Sequence, residues 1–180
     1  MARPDTLHRL HVELSDIDRA VYETLDLRVA RHPSEGADRV VARVLAYALL
    51  YEPGLKFGKG LSTTEEPALW THDLTGLLTH WIDVGLPSAE RIHTASKKAR
   101  RVSIVCHKGE EALRREMQRR KVHGADDITV LHLEPTLVRD LADQLEKNSS
   151  WIIVHSDGEL NITINDSTFA GSLTRSSLPQ

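Results

Sequence analysis

EPALWTHDLTGLLTHWIDVGLPSAERIHTASKKARR, residues 66–101, is the stretch on which the reading of the chain turns. It holds two acids ten positions apart, Asp73 and Asp83, on two strands predicted over 69–74 and 77–84 and joined at Thr75-Gly76. Trp81-Ile82-Asp83-Val84-Gly85 alternates, so Trp81 and Asp83 share one face of the pleat and Ile82 and Val84 the other. After Pro87 the spacing of Ala89, Ile92, Ala95 and Ala99 predicts a helix, whose later turns carry Lys97, Lys98, Arg100 and Arg101. Carboxylates on a hairpin followed by cations on a helix are the parts of a divalent-metal site facing a phosphate. The bland alternative gives Asp83 a local partner in Arg91, makes Asp73 the cap of its turn and leaves Lys97 and Lys98 as a solvated helix face.

Working outward, Thr6–Leu14 and Val21–Ala30 read as an N-terminal hairpin, with Leu25, Leu27 and Val29 on one face of the second strand. Pro33 stops that strand, Ser34 is the expected N-cap, and Glu35 is placed in the first turn of a helix running to about Tyr51. Val40, Val41, Val44, Leu45, Ala48 and Leu49 make its apolar stripe, with Arg39 and Arg43 outside it. Gly58-Lys59-Gly60 lacks the full spacing of a phosphate loop. Downstream, strands are expected at 102–106 and 128–133, and helices at 110–121 and 135–147. A C-terminal hairpin follows around Asp157-Gly158, and beyond Asn165 the polar residues read as a fraying tail. The domain expectation is one domain over 1–166 with a polar tail at 167–180.

Composition narrows the function. The aromatic fraction is 4%, too low for base stacking to be the main binding device. Cys106 is the single cysteine, so no intrachain disulfide partner exists, and its apolar surroundings favour packing over nucleophilic work. The ten histidines show no HExxH or Cys/His zinc spacing, and no Gly-x-Ser-x-Gly elbow is present. The N-terminus lacks an apolar signal core and the apolar run Val44–Tyr51 is too short to span a bilayer, which reads as a cytoplasmic protein with no membrane partner. Net charge is -3, yet Arg91–Lys121 holds eleven Lys/Arg against three Glu, a segregation suited to binding nucleic acid.

Four motifs carry a resemblance: VARHPSE (29–35), FGKGLSTTEEPALW (57–70), DLTG (73–76) and WIDVGLP (81–87). In order and spacing they resemble the YaeQ family, a group of poorly defined biochemical role. The order of predicted elements gives an α/β protein with a mixed sheet flanked by helices and with hairpins at both ends, and the resemblance implies that this is a variant of the PD-(D/E)XK nuclease fold, restriction-endonuclease-like. The acid pair, taken with this resemblance, makes a magnesium- or manganese-dependent nuclease acting on nucleic acid phosphodiesters the leading expectation, with Asp73, Asp83 and Glu35 as metal ligands. A lysine is expected two residues after the second acid, where this chain has Gly85; Thr94 stands where similar sequences place a helical lysine. Lys98 is the candidate replacement and Lys97 the second. The alternative function is a catalytically degenerate module that binds nucleic acid or a protein, and a third is a dimer formed through an exposed hairpin edge.

Overall fold

The structure, a computed structural model, describes residues 3–59, 61 and 63–179. Its chain opens with β1 (Thr6–Asp16) and β2 (Val21–Arg31), paired antiparallel, with Leu10, Val12 and Leu14 beside Leu25, Leu27 and Val29 on the buried face. Next come α1 (Ala37–Leu49), the short β3 (Lys56–Phe57) and the hairpin of β4 (Leu69–His72) and β5 (Leu78–Val84). Two crossovers follow. α2 (Ala89–Lys98) leads to β6 (Arg101–Cys106), and α3 (Glu110–Met117) leads through a short turn at Ala125–Asp127 to β7 (Thr129–Leu133). α4 (Pro135–Ala142) then feeds the meander β8 (Asn148–Ser156), β9 (Glu159–Ile164) and β10 (Ser167–Ser177).

All ten strands form one sheet in the order β2-β1-β8-β9-β10-β7-β6-β5-β4-β3. β5, β6 and β7 run parallel, as their helical crossovers require, and β1 lies parallel to β8. The remaining pairings are antiparallel. β10 joins the two halves: Ser167–Ser172 pairs with β9 and Leu173–Ser177 with β7. The segment 167–180, expected to be a polar tail, therefore supplies a central strand. Its Ser/Thr-rich side chains hide this, because backbone pairing holds β10 while the deeply buried anchors are few, Leu173 within it and Leu178 just past its end.

The expected open restriction-endonuclease-like sheet flanked by helices is not what forms. The sheet curls round α1 into a nearly closed barrel, and α1 packs against β2 at one end of the strand order and against β5 and β6 toward the other. Val40 to Ala46 are all buried, so α1 is an interior element rather than a one-sided cover. The two terminal hairpins do form, β1–β2 and β8–β9, the latter turning at Asp157 and Gly158 with φ of 50° and 75°. The main core lies inside the barrel around α1 and α4. A second apolar cluster lies on the outer face of β5–β7 beneath α2 and α3.

Candidate functional site

The β4–β5 hairpin sets the position of both aspartates. Leu69 faces Ile82 and His72 faces Leu78, so Asp73 sits at the turn and Asp83 at the open end, about 20 Å away along a strand of this rise. Asp73 caps the turn: its Oδ1 accepts from the Thr75 hydroxyl at 2.6 Å, the Thr75 amide at 2.9 Å and the Leu77 amide at 3.0 Å. The Thr75 hydroxyl first, and the Leu77 amide next, hold its carboxyl below the ordinary range. The two acids cannot share an ion.

Asp83 lines a cleft of about 400 Å³ between the start of α1, the 61–68 segment and the ends of β5 and β6. Its carboxylate accepts three hydrogen bonds. Arg91 donates to both oxygens at 2.9 and 3.0 Å, and the Trp81 indole donates to Oδ2 at 2.8 Å. Arg91 also donates to the carbonyls of Thr64 and Glu66, so one guanidinium ties α2, β5 and the loop together. It lies 5.2 Å from the centroid of the Trp81 ring, adding a cation–π contact.

Glu35 reaches the same cleft from the other side, and it is not a first-turn anion. The helix starts at Ala37 with Gly36 as its N-cap, and Glu35 turns inward, its side chain 1% exposed. Arg43 Nε and Nη2 grip its two oxygens at 2.9 and 2.8 Å, while Arg39 donates at 2.7 Å. Arg43, expected outside the apolar stripe, is 2% exposed because Glu35 and the Ala30 carbonyl take its donors. Burial pulls its pKa down, against the pull of Glu35.

A third ion cluster completes the cleft. Asp38 accepts from Lys108 Nζ at 2.7 Å and lies 3.1 Å from His107 Nε2. Burial raises its carboxyl, but the hydrogen bonds from Lys108 and His107 outweigh this and bring it to about 2. Burial and then Lys108 push the His107 imidazole down. Sequence reasoning missed this trio; the adjacent His107-Lys108 pair at the end of β6 was its only local signal.

Magnesium or manganese takes near-octahedral oxygen ligands. Among the described residues no group of three or more His, Cys, Asp or Glu converges to hold a metal. Glu35 and Asp83 do meet at one cleft, but arginines take their oxygens, and Asp73 is elsewhere. The residues present do not fit the expected metal site. Lys98 lies outside this cleft, exposed at the end of α2 beside a neighbouring groove with Thr94 and Trp81. Gly85, in the expected lysine position, has φ of 94°, a conformation that disfavours any side chain. Gly60 and Ser62, within the glycine- and serine-rich loop before the hairpin, lie outside the described residues. Cys106 is buried, and burial raises its thiol pKa, which disfavours the thiolate.

A sequence profile described as YaeQ protein matches residues 1–172. The chain belongs to the YaeQ family. It is 33% identical over 112 residues to a YaeQ protein of Salmonella typhi and 32% identical over the same length to that of Escherichia coli K12, both described as uncharacterized. Each match spans 62% of this chain and 62% of the relative. Among solved structures, the YaeQ protein of Xanthomonas axonopodis pv. citri is similar with a TM-score of 0.87 at 28% identity, covering 97% of this chain and 99% of that one. The YaeQ protein of Pseudomonas syringae gives 0.88 at 30% identity and 97% of each chain. Family membership brings a fold of unknown function and assigns no reaction. No helix among the described residues is long and apolar enough to cross a membrane.

The basic segment 91–121 divides in two. Arg91, Arg101, Lys108, Arg114, Arg115, Arg119 and Arg120 are in ion pairs. Lys97, Lys98, Arg100 and Lys121 are exposed and make no ion pair among the described residues. α2 meets the end of α3 where Arg120 pairs with Glu90 and the His123 amide donates to His93. Partial desolvation and then the charges of Arg120 and Lys97 hold the His93 imidazole below its ordinary pKa. Arg120 and Lys97 therefore both lie close to His93 where the two segments meet.

Proposed function

We propose that this protein is a non-hydrolytic binding module that takes the phosphate backbone of a nucleic acid on the outer surface of α2 and the segment after α3. The observation that carries this reading is the contrast between saturated and free charge. In the cleft every acid has its cation, whereas among the described residues Lys97, Lys98 and Arg100 are exposed at the end of α2 and make no ion pair. Phosphate contacts of this kind position a ligand without reading its sequence. A net charge of -3 keeps the attraction local to this surface.

The test is fluorescence anisotropy with labelled single-stranded and duplex oligonucleotides across a salt series. Three phosphate contacts give a slope of log K against log salt of about -2.7 on duplex DNA. Replacing Lys97, Lys98 and Arg100 together by Glu is expected to abolish binding while leaving the melting temperature unchanged. Salt-independent binding, or binding unaffected by the triple replacement, overturns the proposal.

A further inference from the structure

β2 ends the strand order, and its outer edge pairs with no other strand among the described residues. Alternate residues of an antiparallel strand direct their backbone groups to opposite sides. Arg9, opposite Arg28, donates its amide to Lys147 on the β8 side, so Thr24, Asp26, Arg28 and Ala30 direct their amides and carbonyls outward, and the Ala30 carbonyl accepts from Arg43. Natural edge strands of this length are normally blunted by charge or covered. This one is flanked by Asp26, whose side chain is 85% exposed, and by the exposed Arg28.

The charges on this edge have an order. On the outer face Arg28 stands directly opposite Arg9 of β1, a like-charged pair that makes no ion pair among the described residues, and His11 stands opposite Asp26, 2.8 Å away. If two β2 strands run antiparallel about a two-fold axis at Leu27, each Asp26 falls opposite the partner copy's Arg28. Each Arg9–Arg28 pair then gains an acid. On the opposite face Leu25 meets Val29 and Glu23 meets Arg31 in the same register, so apolar and charged positions are complementary along the strand.

We propose that β2 is a self-association edge, occupied by the β2 strand of a second copy in the register that sets Asp26 against Arg28. Arg43, by holding the Ala30 carbonyl, marks where the ladder ends. The occupant is argued from the strand's self-complementary charge, and the binding mode is main-chain pairing with side chains selecting the register.

Sedimentation equilibrium across a dilution series tests this. The wild-type chain is expected to dimerise. Asp26→Arg alone and Arg28→Asp alone each weaken dimerisation about tenfold or more, because two attractive pairs become two repulsive ones. Mixing the two single variants restores association as a heterodimer, since one then carries arginine and the other aspartate at both positions. The double variant D26R/R28D restores the homodimer. Thermal melts check that each variant folds, and recovery in the mixture is a result that misfolded chains do not give. A monomeric wild type at all concentrations, a dimer indifferent to the reversals, or no recovery in the mixture overturns the proposal. So does an edge that takes an unrelated strand peptide while the chain stays monomeric.

Discussion

Arg91 holds both carboxylate oxygens of Asp83, at 2.9 and 3.0 Å, and occupies the place where a cation would have to sit. The side chain of Asp83 is 5% exposed and that of Arg91 26%, so water screens the pair only from one side. Removing one partner strands the other charge. Asp83→Ala is expected to lower unfolding free energy by about 2–4 kcal/mol, somewhat below the range for fully buried pairs. Urea denaturation measures it, and a loss under about 0.5 kcal/mol would place the pair among surface ion pairs. Millimolar magnesium is expected to leave the melting temperature unchanged; a saturable rise abolished by Asp83→Asn would show that the carboxylate can be released to a metal.

Glu35 and Arg43 make a tighter case, at 1% and 2% side-chain exposure. Glu35→Ala is expected to cost about 3–5 kcal/mol, because Arg43 keeps only the Ala30 carbonyl. The double replacement Glu35→Leu with Arg43→Met should recover most of this, since well-packed apolar groups avoid the desolvation of both charges. Denaturation midpoints of the three chains decide it: a double variant no better than the single shows that the ion pair itself supplies specificity at α1.

What the chain discloses locally and what it hides follow one division. Alternation at Leu25, Leu27 and Val29 and the Asp157-Gly158 turn are short-range signals, and the hairpins they predict form. The expectation that Asp73 and Asp83 ligate one metal fails at the same level, because the hairpin predicted between them carries them to opposite ends. The pairing of Asp83 with Arg91 was weighed as the bland alternative and is the geometry found. Barrel closure was hidden, because β10 is held by backbone bonds that its Ser/Thr side chains do not advertise. The burial of Arg43 was hidden too, since its partners, Glu35 and the Ala30 carbonyl, precede the helix and meet it only after folding.

Asp38 gives the cleft a pH signature. Its carboxyl is lowered to about 2 from an ordinary value of 3.8, so the stability it contributes is complete above 3.8 and is lost as pH falls toward 2. NMR titration of the carboxyl carbon checks this, and Lys108→Met is expected to move the midpoint upward. His107 responds in the same sense, in a higher pH window. Burial lowers its pKa from the ordinary 6.5, so the neutral ring is favoured and stability declines as pH falls below 6.5. Asp38→Asn removes a group that favours the imidazolium, and the His107 midpoint is expected to fall further. A rise would mean that Asp38 does not act on the ring.

Gly85 stands where a lysine was expected, and the backbone explains its presence. Its φ is 94°, and a Cβ built there would lie 3.7 Å from His107 Cε1, an ordinary contact distance. The obstacle is therefore conformational more than steric. Gly85→Ala and Gly85→Lys are each expected to cost about 1–2 kcal/mol from backbone strain. Gly76 supplies the comparison, because its φ of 84° is similar while nothing lies within 4 Å of a Cβ there. Equal losses in Gly76→Ala and Gly85→Ala, measured by urea denaturation, assign the cost to φ alone; an excess at Gly85 assigns the remainder to packing against His107. If Gly85→Lys proved as stable as the natural chain, the strand end would have to relax to a negative φ, and the glycine would no longer be explained by backbone geometry.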